Sequence, residues 1–114
     1  MENLFEKLRQ AECDVDGALA RFLDDKELYV QFYSELLQDD AFTLLGEALE
    51  NGKLCEAFEY AHTLKGIIGN MGLTPLFEVV CDIVEPLRIN SEDGVKENYD
   101  ELLQLRDKFS EFIE

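Results

Sequence analysis

Apolar side chains recur at intervals of three and four positions along almost the whole chain. One stretch shows this spacing over several turns, with Leu54, Phe58, Ala61, Leu64 and Ile68. The spacing matches an α-helix, which has about 3.6 residues per turn, whereas a half-buried strand alternates apolar and polar residues. No run of strand length alternates in that strict way. The sequence therefore predicts an all-α fold.

The same spacing divides the chain into about six helical segments, separated by turns at Asp24-Asp25, Asp39-Asp40, Gly52, Gly72 and Asn90-Ser91. The helix after Asp25 is placed by Leu28, Phe32, Leu36 and Leu37. Thr74 is expected to cap a later helix that has Pro75 at its first position, where a missing N–H costs nothing. Four segments are long enough for a bundle and their connections are short, so consecutive helices should be antiparallel.

We therefore predict a single domain over residues 1–114. It consists of an antiparallel up-down-up-down four-helix bundle with one or two short additional N-terminal helices. The short helices cover about 1–24 and the bundle covers about 25–114.

The charge of the chain restricts its partners. With 26 acidic and 10 basic side chains the formal net charge is −16. This charge repels phosphate backbones and anionic lipid, so we expect no nucleic acid and no membrane partner.

The cysteines and the apolar runs indicate where the protein is located. The three cysteines of the chain are widely spaced, and neither a signal peptide nor a membrane-spanning apolar run is apparent. These features favour a cytoplasmic protein.

The only histidine, His62, stands before an unusual group of residues. Each glycine inside a helix costs about 1 kcal/mol relative to alanine, yet Gly66 and Gly69 both follow within two turns. At about 100° per residue they lie on the side of the helix that carries His62. Lys65 lies about 60° around the helix from His62. The apolar stripe of the helix faces away, so we expect an uncrowded imidazole at the boundary with solvent. This stripe consists of Ala57, Ala61, Leu64 and Ile68.

These residue types suit the transfer of a phosphoryl group. A neutral imidazole offers a ring-nitrogen lone pair near pH 7, so His62 is the candidate for phosphorylation. The ammonium of Lys65 would stabilise the negative charge that develops during transfer. Gly66 and Gly69 would let a partner approach the ring, and Phe58 is a candidate docking residue. The sequence has no G-x-x-x-x-G-K-[ST] loop, so we expect a phosphoryl carrier without an ATP site or kinase activity.

The segment Ala61-His62-Thr63-Leu64-Lys65-Gly66, followed by Gly69-Asn70-Met71-Gly72, resembles the signature of the histidine-containing phosphotransfer (HPt) domain family. The resemblance implies a four-helix bundle, phosphorylation of His62, phosphate stabilisation by Lys65, and clearance at Gly66 and Gly69 for a receiver domain. The chain departs from the family at Ile67 and Ile68, where small residues are usual. We expect these two side chains to affect helix packing or partner preference.

The resemblance also implies the partners. His62 would accept a phosphoryl group from a receiver-domain aspartate, or through a hybrid or other sensor histidine kinase. It would pass the group to the receiver aspartate of a response regulator. We expect no cofactor in the chain itself, and Mg²⁺ would be bound by the partner receiver domain.

Two other functions compete with phosphotransfer. Glu59-x-x-His62 matches a unit that bundle proteins use to hold paired metal ions, but that site needs two such units and the chain has one histidine. We therefore predict no metal site. A helical adaptor could bind receiver domains without being phosphorylated. An adaptor, however, gives no physical reason for two costly glycines and a lysine beside His62.

Overall fold

A computed structural model describes residues 2–113, so the predicted domain ends at residues 1 and 114 lie outside the described part. Within it the chain forms seven α-helices and one short 3-10 helix, with no strand. The α-helices are α1 (Glu2–Gln10), α2 (Val15–Arg21), α3 (Lys26–Leu37), α4 (Ala41–Glu50), α5 (Leu54–Asn70), α6 (Thr74–Arg88) and α7 (Val95–Ser110), and the 3-10 helix is Glu111–Ile113. The all-α prediction is confirmed.

The helices follow the predicted segments. Helices α1 and α2 are the two short N-terminal helices, and five helices, α3 to α7, follow residue 25, one for each segment that the predicted turns separate. The arrangement of four of them as an up-down-up-down bundle stays a prediction. Contacts link α4 to α5, α5 to α6 and α6 to α7, and α7 also packs against α3 and α4. Between α5 and α6, Gly69 faces Phe77, while Phe58 lies under the guanidinium of Arg88. Residues late in α5 thus meet residues early in α6. None of the described helices combines the length and apolar character needed to cross a bilayer.

Side chains of the acidic turns begin two helices. A carboxylate oxygen of Asp14 accepts a hydrogen bond from the backbone N–H of Gly17 at 3.1 Å, and one of Asp25 accepts from Leu28 at 3.0 Å. Both bonds satisfy donors that the first turn of a helix leaves free. The predicted cap at Thr74 is wrong: Leu73 holds the N-cap position, and no side chain caps α6. Thr74 is the first helical residue, since the chain turns one residue earlier than the sequence suggested.

Helix α3 buries only part of the face that its leucine and phenylalanine residues suggested. Leu36 and Leu37 are buried as expected, but Leu28 and Phe32 are exposed, and Tyr29 and Tyr33 are buried in their place. The Tyr29 hydroxyl donates to the carbonyl oxygen of Met71 at 2.8 Å, and the Tyr33 hydroxyl donates to that of Phe109 at 2.7 Å. Burial raises the pKa of both hydroxyls, which therefore stay protonated donors. These bonds offset the cost of burying the hydroxyls, so the tyrosines occupy the core.

Gly72 fixes the position of α2 against the end of α5. The backbone N–H of Asp14 donates to the Gly72 carbonyl oxygen at 2.9 Å. Gly72 has a φ of +71°, and a Cβ there would overlap the carbonyl oxygen of Asp14 and lie 3.0 Å from the Cβ of Ala18. Only glycine combines this backbone conformation with so close an approach. The N-terminal end of α2 is thereby held beside the C-terminal end of α5.

Candidate functional site

Helix α5 presents His62 on its outer side. Opposite it, the predicted apolar stripe of Ala57, Ala61, Leu64 and Ile68 is buried. The side chain of His62 is exposed, as the helical spacing predicted. Its ring lies in an open depression of about 420 Å³, together with Lys65, Gly66, Gly69, Asn70, Phe77 and Arg21. An imidazole in this position is accessible to a partner protein.

Phe58 supports one face of the imidazole. The two rings are stacked, with 5.5 Å between their centroids and 28° between their planes. The guanidinium carbon of Arg88 also lies near Phe58, 5.3 Å from the centroid of its ring. Phe58 is half-buried and packs against the core, so the contacts that the structure shows for it are with residues of its own chain. Contact of Phe58 with a partner stays a prediction.

Lys65 is held towards α6 by an acidic side chain. Its Nζ lies 4.0 Å from Oε2 of Glu85, and the Lys65 side chain is 28% exposed. Because Lys65 lines the same depression as His62, its ammonium is placed to interact with a group carried on that ring. Glu85 was not singled out in the sequence, where it is one of 26 acidic residues.

The two glycines that follow His62 occupy different environments. A Cβ at Gly66 would meet no atom within 4 Å, so this position faces open space. A Cβ at Gly69 would lie 2.9 Å from Cε1 of Phe77, because the phenyl ring of α6 packs onto the glycine. Gly66 thus leaves room outside the chain, while Gly69 leaves room for a residue of the chain itself. A further contact of either glycine with a partner stays a prediction.

Arg21 is a residue of the depression that was missed in the sequence. Its Nε donates to the Asn70 carbonyl oxygen at 2.8 Å, and its Nη2 donates to that of Gly69 at 3.2 Å. The last carbonyls of a helix lack intrahelical partners and attract cations, so Arg21 completes the C-terminal end of α5. It also adds a second cation to the depression that contains His62. No local pattern could reveal this, since Arg21 and Asn70 are 49 positions apart.

The family to which this architecture belongs follows from a comparison with family models. Residues 27–112 match the model of the Hpt domain, which covers most of the chain. The chain belongs to the Hpt domain family. Hpt domains are phosphoryl carriers of two-component signalling rather than enzymes, and they interact with receiver domains and histidine kinases. No curated protein and no solved structure matches this Hpt domain.

Helices α1 and α2 of this Hpt domain precede the matched residues, so the family model does not include Arg21. We expect Arg21→Ala to lower the free energy of unfolding by about 1 kcal/mol, because the α5 carbonyls lose a charged donor. Urea denaturation followed by circular dichroism measures the change.

The matched control is Arg9→Ala, which removes an exposed ion pair with Asp16 at 3.3 Å and should cost less than about 0.5 kcal/mol. Equal losses in the two variants would contradict the role given to Arg21 at the end of α5.

An apolar groove adjoins the depression of this Hpt domain. It has a volume of about 720 Å³ and shares Arg21, Gly66 and Asn70 with the depression. Its exposed apolar side chains are Leu23, Leu28, Phe32 and Ile67. Large apolar side chains grouped on a surface mark interaction sites more often than scattered ones do. The sequence held one signal for this groove, because apolar and aromatic residues occupy more than one side of α3.

The isoleucines that depart from the family pattern have separate roles in this Hpt domain. Ile68 is fully buried in the core, and Ile67 is 38% exposed and lines the groove. One therefore affects helix packing, and the other changes a surface beside the depression.

Proposed function

We propose that the chain carries a phosphoryl group on His62 and relays it between aspartates of receiver domains. The observation that supports this most strongly is an exposed imidazole in an open depression, with the ammonium of Lys65 and the open space at Gly66 beside it. The imidazole supplies the nucleophile, the ammonium supplies charge stabilisation, and the open side gives access.

The transfer step uses a lone pair of one imidazole nitrogen. This lone pair forms an N–P bond as the O–P bond of the receiver's acyl phosphate breaks, and the departing electron pair stays on the aspartate carboxylate. The other ring nitrogen keeps its proton. Onward transfer is the reverse reaction with a second receiver. Lys65 stabilises the charge on the phosphoryl oxygens, and Mg²⁺ held by the receiver would supply further charge stabilisation.

The receiver domain docks over the depression and along the adjoining groove. Leu23 supports this assignment, since its side chain is 89% exposed and its φ is +57°. A bulky residue in the left-handed region is strained, and an exposed leucine contributes little to the fold. Contact with a partner would account for both the strained backbone and the exposed apolar side chain of Leu23. Gly66, which lines both the depression and the groove, would lie within this interface, and Phe58 and Gly69 would lie in or near it.

The architecture supports a bundle of α4 to α7 in up-down-up-down order, within one domain over residues 1–114. The pairing of late α5 residues with early α6 residues favours an antiparallel pair. Between α4 and α7, the guanidinium of Arg106 lies over Phe42, while Gly46 faces Tyr99, again in opposite chain order.

The free thiols of Cys13, Cys55 and Cys81 are consistent with a reducing cytoplasm. A hybrid or other histidine kinase would supply the phosphoryl group there.

Phosphorylation in vitro tests this function. The chain is incubated with a purified receiver domain, Mg²⁺ and a small-molecule phosphodonor that phosphorylates the receiver. We expect label on the chain that is lost in acid but stable in base, as an N–P bond requires, and that passes to a second receiver. Binding of the receiver without labelling of the chain would instead support the adaptor.

We expect Lys65→Ala to slow transfer about tenfold without changing the fold, because the ammonium that stabilises the phosphoryl charge is removed. The loss should not be larger, since a partly exposed ammonium stabilises that charge less than a buried one does. Single-turnover transfer from the phosphorylated receiver measures the rate. Lys53→Ala is the matched control, since Lys53 precedes the same helix and pairs with Glu56. An unchanged rate in Lys65→Ala would remove Lys65 from the mechanism.

A further inference from the structure

Two cations near His62 share one carboxylate. Oε2 of Glu85 lies 4.0 Å from Nζ of Lys65 and 3.4 Å from Nη2 of Arg88. Arg88 packs on the ring of Phe58, which in turn stacks on His62. Glu85 is therefore connected to the surroundings of the imidazole by two routes, one through Lys65 and one through Arg88 and Phe58.

Phosphorylation of His62 would change the electrostatic energy of the ion pair between Glu85 and Lys65. A phosphoryl group brings a charge of about −1.5 to −2 near neutral pH, more than the single charge of a glutamate. Lys65 has one ammonium and lines the depression, so it is drawn from Glu85 towards the phosphoryl oxygens. Glu85 then loses part of its pairing, because the carboxylate and the phosphoryl group compete for the same ammonium. The carboxylate thus favours the unphosphorylated state of the carrier.

We propose that Glu85 is a positioning residue for transfer, which competes with the phosphoryl group for Lys65 and thereby promotes onward transfer from His62. In that step the N–P bond breaks, an O–P bond to the receiver aspartate forms, and the electron pair returns to the ring nitrogen. The inference rests on the proposed function, because it assigns a role to Glu85 only if His62 carries the phosphoryl group.

The equilibrium of transfer between the chain and one receiver domain tests this inference. Phosphorylated receiver and chain are mixed until the label is constant, and the labelled fractions of both proteins are compared. Glu85→Gln should shift the equilibrium about two- to fivefold towards the phosphorylated chain at low salt, the range expected for a partly exposed ion pair. Near 1 M salt, where charges are screened within about 3 Å, the shift should nearly disappear.

Two further variants separate a charge effect from a structural one. Glu85→Asp retains the carboxylate and should restore most of the wild-type equilibrium. Glu101→Gln removes the same charge from an exposed position on α7 that lines neither the depression nor the groove, and should leave the equilibrium unchanged. Unfolding free energies should differ little, since the Glu85 side chain is 59% exposed.

The outcomes distinguish this inference from the proposed function. If the wild-type chain accepts label but Glu85→Gln has the same equilibrium, or a shift that salt does not reduce, the role of Glu85 is overturned and the carrier function stands. A chain that accepts no label at all overturns both.

Discussion

His62→Gln should abolish labelling of the chain by a phosphorylated receiver domain, whereas the free energy of unfolding should change by less than about 0.5 kcal/mol. The loss should be complete because the chain contains no other imidazole. Glutamine is similar in polarity, but its amide nitrogen has no available lone pair to attack phosphorus. The fold should tolerate the change because the His62 side chain is exposed, although the stacking on Phe58 is lost. Autoradiography after transfer and urea denaturation measure the two quantities.

A glutamine elsewhere controls for the substitution itself. Thr43→Gln lies at an exposed position of α4 that lines neither the depression nor the groove, and it should be labelled like the wild type. Label that persists in His62→Gln would place the phosphoryl group on another residue and end the assignment. Loss of label together with loss of helical signal would reveal an unfolded variant, which the denaturation curve identifies.

Gly66→Gln should reduce transfer at least about 100-fold while the fold is retained. A Cβ at Gly66 meets no atom of the chain within 4 Å, so the new side chain extends outwards into the space that a receiver must enter. A displacement of about 1 Å between reacting groups is enough to cost about two orders of magnitude in rate. Replacing glycine within a helix should also leave stability unchanged or higher. Transfer rate and unfolding free energy should therefore change independently.

Two alanine variants sharpen this prediction. Gly66→Ala should raise the free energy of unfolding by about 1 kcal/mol, with a smaller effect on transfer than glutamine has. Gly69→Ala should raise the free energy of unfolding by less, because its Cβ would lie 2.9 Å from Cε1 of Phe77 and displace that ring. Normal transfer by Gly66→Gln would show that the receiver does not approach over this position.

The buried face of α5 was readable from the sequence. The stripe of Ala57, Ala61, Leu64 and Ile68 predicted a buried face of α5, and the opposite side predicted the exposure of His62, which the structure confirms. The helix that was expected after Asp25 does begin there, and the Asp25 side chain caps it. These features depend on neighbours three or four positions apart, so a local pattern contains them.

The first half of the inward face of α3 was not readable in this way, although Leu36 and Leu37 are buried as expected. Leu28 and Phe32 are more apolar than Tyr29 and Tyr33, yet the tyrosines are buried. Their hydroxyls reach carbonyl oxygens 42 and 76 positions away, and no local pattern reveals such partners. This exchange of faces leaves Leu28 and Phe32 on the surface, where they line the groove.

The sequence by itself therefore determined the helices of this Hpt domain, the exposed histidine and the lysine that follows it. Only the tertiary structure decided that Arg21 meets the end of α5, that Phe77 fills the space at Gly69, and that Glu85 pairs with Lys65. The reason is the range of the interactions. Helical periodicity acts over a few residues, whereas these contacts join different helices, whose relative positions depend on how the whole core packs.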